Sequence, residues 1–448
     1  MKISRGEFLR LGLAGGVTLA VGGTACTGEG STGTLLPSKA KLPEPFRVPL
    51  PVPPVLEPVR SDAGADYYEM TQKPGRMEIL PGLQTEVWGY DGVFPGPTVE
   101  SRSGRKIVVR QHNELPVPVS THLHGGRTPP ESDGYPTDLI APMRVAHDHS
   151  THGHGSMGME GSRNSKAYVY PQEQRAATLW YHDHRMDFTA PQVWRGLAGF
   201  HIVRDGEEAA LPLPEGEKDV PLMICDRSFD EDGSFLYPSL DPSLRGEPGV
   251  KGRYMDGVLG DTILVNGVPW PVLEVSNTKY RFRILNASNA RRYELALRPS
   301  NGAPFVQIGS DGGLLDAPIR HRTIRIAQSE RFDVVIDFSK YDVGDEITLK
   351  NRMGKGKTAS VMRFRVTRKE KDDSAVPGLL SDMAEFHGLT GSGAGRTREF
   401  RFTRVADKGR TMWGINGEPF DPELMVARPE LGSTEVWHLR AAPAAHPI

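Results

Sequence analysis

Cysteine is nearly missing from this 448-residue chain, where only Cys26 and Cys225 occur. Two residues so distant and so differently placed exclude a disulfide framework. Cys225 closes the apolar run Val220-Pro-Leu-Met-Ile-Cys225, a setting for a small buried hydrophobe and not for a reactive thiol. Charge of either sign is also without excess. Lysine and arginine number 54 against 56 acidic residues, for a net charge of -2. That balance removes any global electrostatic case for a nucleic-acid partner or a basic membrane-binding surface. Long amphipathic helical patterns are scarce too. Turn formers are what the chain has in quantity: 50 Gly and 37 Pro, about a fifth of all residues against an average nearer 12%. Short alternating runs between so many turns predict an all-β chain of sandwiches or barrels, with length enough for two to four domains.

At the N-terminus, Lys2, Arg5 and Arg10 precede an uncharged, mostly apolar run from Leu11 to Cys26. The run is short for a membrane span and suits an export signal over 1–26, which places the mature chain in the periplasm or outside the cell. Ser4 to Arg10 resembles a twin-arginine motif with Gly6 where the second arginine belongs. Gly23-Thr-Ala-Cys26 resembles a lipoprotein cleavage site, which makes Cys26 a candidate lipid anchor; ordinary cleavage stays open beside it. Residues 27–58 follow as a spacer. From Lys41 to Pro58 they are Pro-rich and are expected to run extended along the surface of the first domain.

Three stretches then echo one another. Trp88-Gly-Tyr-Asp-Gly92 leads to the strand pattern Arg105–Arg110, Ile263-Leu-Val-Asn-Gly267 to Tyr280–Asn286, and Trp413-Gly-Ile-Asn-Gly417 to Glu435–Arg440. Each sets an Asn/Asp-Gly turn before an alternating strand about twenty residues on. The repetition predicts three copies of one β-sandwich unit, bounded at 59–205, 217–368 and 396–448, the third incomplete. Pro377 to Arg396, rich in Gly and Ser, reads as the linker into the third.

The first copy carries Thr121-His122-Leu123-His124, answered by Trp180-Tyr181-His182-Asp183-His184. Side chains two apart on a strand share a face, with Cα atoms roughly 6 to 7 Å apart. His122 and His124 therefore project together, as do His182 and His184. Such pairs are too splayed to grip one ion alone but suit adjacent metals, each completed from elsewhere. Imidazoles without a thiolate suit copper, zinc, iron or nickel.

Further motifs surround these pairs: Phe94-Pro-Gly-Pro-Thr98, Ser132-Asp-Gly-Tyr-Pro136, Gly196-Leu-Ala-Gly-Phe200, Asp226-Arg-Ser-Phe229, Tyr280-Arg-Phe-Arg283 and Gly309-Ser-Asp-Gly-Gly313. As a set, from about Pro43 to Ile448, the chain resembles the multicopper oxidases, in the branch of bacterial spore-coat laccases, bilirubin oxidases and phenoxazinone synthases. The resemblance implies tandem cupredoxin-like Greek-key sandwiches that couple one-electron oxidation of phenols, aromatic amines or metal ions to reduction of O2 to water. It implies copper of types 1, 2 and 3, with the cluster between the first and third domains. It assigns His122 to the type 2 copper, and His124, His182 and His184 to the type 3 pair. His446, opening a His-Pro pair, is implied as a type 1 ligand, and Asp133 as the acid that helps deliver protons.

The chain as given stops at Ile448 without the family's His-Cys-His segment, so it is expected to be a truncated record, inactive alone, with an uncovered apolar face in its third domain. Two other readings compete: a copper-sequestering protein, and a non-catalytic scaffold of the kind found among cell-division relatives. Met143 through Met159 gathers His147, His149, His152 and His154 beside three methionines. This is read as a solvated loop with adventitious metal affinity, against the alternative of a copper-gathering loop. His112, His201, His321, His387 and His438 lack a partner pattern and read as structural or surface residues. Glu330 to Asp337 reads as a structural strand of the second domain.

Overall fold

The computed structural model describes residues 32–143, 163–383, 389, 391–407 and 410–441, and Ser31–Ile448 form one compact unit. The expected export signal, the 147–159 stretch, His387 and His446 lie outside the described residues. No helix among the described residues is long and apolar enough to cross a membrane.

The all-β expectation holds. In the first sandwich, Arg60–Ser61, Ala65–Met77, Lys106–Asn113 and Ser165–Tyr170 form one sheet, with Thr85–Tyr90 paired to Ala65–Met77. Facing it is a four-stranded sheet in the order Gly96–Arg102, Ala198–Arg204, Ala177–Asp183, Thr121–His124. Lys106–Asn113 shows why these residues form strands: Ile107, Val109, Gln111 and Asn113 are buried, and the residues between them are not. That period of two turns one face to a core built of Tyr68, Trp88, Val109, Leu123, Leu179 and Tyr181.

The second sandwich has a seven-stranded sheet, with Asp219–Arg227, Lys279–Asn286 and Arg331–Asp337 at its centre, against a five-stranded one. Ile224, Trp270, Phe282, Leu295, Phe338 and Phe364 fill the space between. A buried ionic cluster ties its sheet to the end of the first sandwich. Glu208, on the short helix Gly206–Ala209, meets Arg281 and Arg283 at 2.7 Å each, and Arg283 Nε meets Asp219 at 2.8 Å.

The third unit is a single four-stranded sheet in the order Glu418–Pro419, Arg410–Ile415, Arg396–Asp407, Glu435–Ala441. Phe400 is buried there, but Trp413, Leu431, Trp437 and Leu439 are exposed.

The three echoed turns are built alike. Asp91-Gly92, Asn266-Gly267 and Asn416-Gly417 all take positive φ at both residues, the backbone of a tight two-residue hairpin that Asn/Asp-Gly permits. One expectation needs correction. The Pro-rich strap does not keep to the first sandwich: it bridges Val55 to Thr98 there, but also Pro49 to Val272 in the second. Leu50 is drawn into the second core, because apolar side chains alternating with prolines leave one face to bury.

Candidate metal centre

The two His-x-His units lie on neighbouring antiparallel strands, in a register that sets His122 opposite His182 and His124 opposite Trp180. Leu123, between the first pair, points into the core at 1% exposure. Asp183, between the second, is fully buried, and its carboxylate accepts from the backbone N–H groups of Ser120 and Arg185. Pleating thus sends the intervening residues inward and the four imidazoles to one side. The His122 ring centroid lies 5.4 to 5.5 Å from those of His124, His182 and His184, and His182 lies 5.6 Å from His184.

Hydrogen bonds fix which nitrogens face inward. His122 Nδ1 donates to the Asp133 carbonyl at 2.6 Å, and His182 Nδ1 donates to the Asp183 carbonyl at 2.8 Å, which turns the Nε2 of each inward as the other ring nitrogen. His124 Nδ1 stands 3.4 Å from His182 Nε2. One nitrogen from each of His122, His124 and His182 falls within 4.8 Å of the others. His184 Nδ1 is buried without a hydrogen-bond partner.

Three of the rings are also held neutral. Burial, then the charge of Arg331, lowers His124 to about 3. Burial is likewise the leading cause that puts His182 well below the usual imidazole value and lowers His184. Neutral imidazoles are what a metal takes as ligands. An all-nitrogen set, convergent and with one orphaned buried nitrogen, fits copper.

Asp133 stands beside this set. Its carboxylate is half-exposed, with Oδ1 3.5 Å from His122 Nδ1. It is held there by Gly134 at φ +79°, where a Cβ would lie 2.0 Å from the Thr121 carbonyl oxygen. His446, the remaining expected ligand, falls outside the described residues. Cys225 is fully buried in an apolar cluster with Met223, Phe229 and Leu264, and burial pushes its thiol up to about 11.

Sequence reasoning missed three supports of the site. Trp180 stacks on His182 at 4.1 Å and on His124 at 5.3 Å. A buried network, in which Gln72 donates to Gln111 and Thr121 while Tyr90 meets Thr121, braces the His122 strand from beneath. Arg331 reaches over from the second sandwich to the carbonyl of Thr178, on the His182 strand, at 3.0 Å. Trp180 was visible in its motif; the other two join segments too distant for any local pattern. Of the residues read as structural, His201 is buried between Ser101 at 2.8 Å and Gln172 at 3.1 Å, away from the ligand set.

A family model described as multicopper oxidase matches residues 71–152 and 153–208. A laccase from Bacillus stratosphericus is 39% identical over 442 residues, covering 90% of this chain and 82% of the laccase. A bilirubin oxidase from Albifimbria verrucaria is 35% identical over 90% of this chain and 68% of its own length. Among solved structures, a laccase from Pediococcus acidilactici superposes with a TM-score of 0.73 at 30% identity, covering 90% of this chain and 78% of that one.

Proposed function

This chain belongs to the multicopper oxidase family, copper-dependent oxidoreductases with O2 as acceptor, and from that premise we propose that His122, His124, His182 and His184 hold copper for a laccase-type oxidation. The observation that carries the reading is the convergence of four imidazoles on one side of two paired strands. Small reducing substrates are phenols, aromatic amines or metal ions, each giving one electron at a time. Bound copper would supply the storage of those electrons and their passage to O2.

The chain's own residues do the rest. The Asp133 carbonyl fixes the His122 tautomer. The half-exposed Asp133 carboxylate moves protons from solvent toward the cluster. Trp180 keeps the His124 and His182 rings from rotating. We propose 59–205, 217–368 and 396–448 as cupredoxin-type domains, with the cluster at the seam of the first and third. Phe420, just after the Glu418–Pro419 strand of the third unit and 6.2 Å from Tyr135 beside the Asp133 loop, supports that placement. His446 remains a type 1 ligand in this reading. Export rests on the basic-then-apolar N-terminus, and Cys26 as its lipid anchor rests on the cleavage-site resemblance.

Neither cysteine of these 448 residues supplies a type 1 thiolate in this reading, since Cys225 is sealed in the apolar layer between the first and second sandwiches, beside Phe94 and Phe200. The chain by itself is therefore expected to bind copper without intense blue colour and without laccase turnover. Copper analysis and optical spectra of the purified chain, beside His182→Ala, test this. Loss of copper in the variant supports the reading. A wild-type chain that takes up no copper defeats it, and robust phenol oxidation by the chain alone defeats the expected inactivity.

A further inference from the structure

Arg331 starts the strand Arg331–Asp337 of the second sandwich, yet its side chain ends beside the metal-binding turn of the first. It is 4% exposed. Nε donates to the Thr178 carbonyl at 3.0 Å, Nη1 to the Ser329 carbonyl at 2.7 Å, and Nη2 to the Asp311 carbonyl at 3.2 Å. Asp311 also contributes a carboxylate oxygen 3.0 Å from Nη1, on a half-exposed side chain. Nη2 comes so close to Gly125, the residue after His124, that a Cβ there would lie 2.6 Å from it. Gly125 takes φ +89°, so the turn is shaped to receive the guanidinium.

A buried arginine costs desolvation, and its partners here explain only part of that cost. The one carboxylate in contact, Asp311, is screened by solvent; Glu330 acts on Arg331 only through space, and the other partners are backbone carbonyls. Packing alone does not call for a full charge at this point. What the position does offer is a fixed cation, always protonated, against the turn carrying His124 and the strand carrying His182.

We propose that Arg331 is a positioning residue that holds a permanent positive charge beside the imidazole cluster and so favours the lower of copper's two charge states there. This rests on the reading that the four histidines bind copper. A nearby cation repels a doubly charged ion more than a singly charged one. For unit charges about 10 Å apart at an effective dielectric constant of about 20, that difference is on the order of tenfold in relative affinity. The consequence in the molecule is a site whose electrons arrive more readily, set from a different sandwich than the one that supplies the ligands.

The test uses the full chain. Cuprous affinity is measured by competition with bicinchoninate and cupric affinity by competition with glycine, with His182→Ala measured in parallel to subtract copper held elsewhere. Arg331→Met should lower the cuprous-to-cupric affinity ratio by about tenfold or more, while Arg331→Lys, which keeps the charge, stays within about threefold of wild type. Asp311→Asn, which keeps the oxygen acceptor but removes the counter-charge on an exposed side chain, should raise the ratio. It also serves if Arg331→Met does not fold. An unchanged ratio in Arg331→Met, an equal fall in Arg331→Lys, or no rise in Asp311→Asn overturns the proposal. If wild type and His182→Ala bind copper alike, it is the copper reading beneath it that fails.

Discussion

Gly134→Ala is a sharp perturbation of the turn beside His122. The residue has φ +79°, and a methyl there would lie 2.0 Å from the Thr121 oxygen, 2.4 Å from its carbonyl carbon and 2.6 Å from the His122 Cα. All three are backbone atoms of the site strand, so no side-chain rotation relieves the overlap. The left-handed backbone costs alanine about 1 to 2 kcal/mol, and overpacking against rigid neighbours adds about 1 to 3 kcal/mol. At about 2 to 4 °C per kcal/mol, the melting temperature of the first sandwich should fall by roughly 4 to 20 °C. The Asp133 carbonyl moves with the loop and releases His122 Nδ1, so copper affinity should drop by about ten- to a hundredfold. Gly302→Ala is the control, since Gly302 has φ +75° with nothing within 4 Å of its would-be Cβ. It carries the conformational cost alone. Calorimetry and a copper competition titration read both effects. If Gly134→Ala matches Gly302→Ala in stability and wild type in copper affinity, the inference that close approach of this turn orients His122 is wrong.

Asp133→Asn should leave copper loading unchanged, because the backbone carbonyl and not the carboxylate holds His122; a copper titration in which affinity falls as it does for Gly134→Ala would contradict that assignment. Trp180→Ala should cost about 3 to 5 kcal/mol and weaken copper binding, whereas Trp180→Phe keeps a stacking ring and most of the affinity, as melting and titration would show. The ionic cluster gives a pH dependence. Burial alone would raise Asp219 and Glu208, but Arg283 and Arg281 outweigh it and hold both below the usual carboxylate range. Carboxyls depressed in the folded state stabilise it fully above their unfolded values of about 4, and that stability is lost as pH falls below about 4 toward the folded ones. Asp219→Asn should therefore lose about 3 to 5 kcal/mol at pH 7 by leaving buried arginines uncompensated, and its melting temperature should fall less steeply with acid than that of wild type. Parallel slopes for the two would refute the role given to Asp219.

How much of this could be read before folding depends on how far apart the interacting residues are. The facing of His122 with His124, and of His182 with His184, follows from the strand period alone. The Asn/Asp-Gly pairs at 91–92, 266–267 and 416–417 announce hairpins because only such residues take two successive left-handed conformations cheaply, and all three do so. That His122 would pair with His182 is a different kind of fact. It depends on a register between segments about sixty residues apart, set by Leu123 and Tyr181 sharing one core, and burial fixes a register that no short window encodes. Arg331 lies farther still. In sequence it is the first residue of an ordinary strand, Arg-Phe-Asp-Val-Val-Ile-Asp, and its alternation correctly predicts the strand. Its contact with Thr178 exists because Asp219–Arg227, the strand that enters the second sandwich, runs parallel to Lys279–Asn286, which in turn pairs with Arg331–Asp337. The start of that last strand is thereby set against the first sandwich. The candidate ligands are legible because strand alternation sets them in pairs on one face; Arg331 is not, because a charge acts through space from whichever segment the fold carries there.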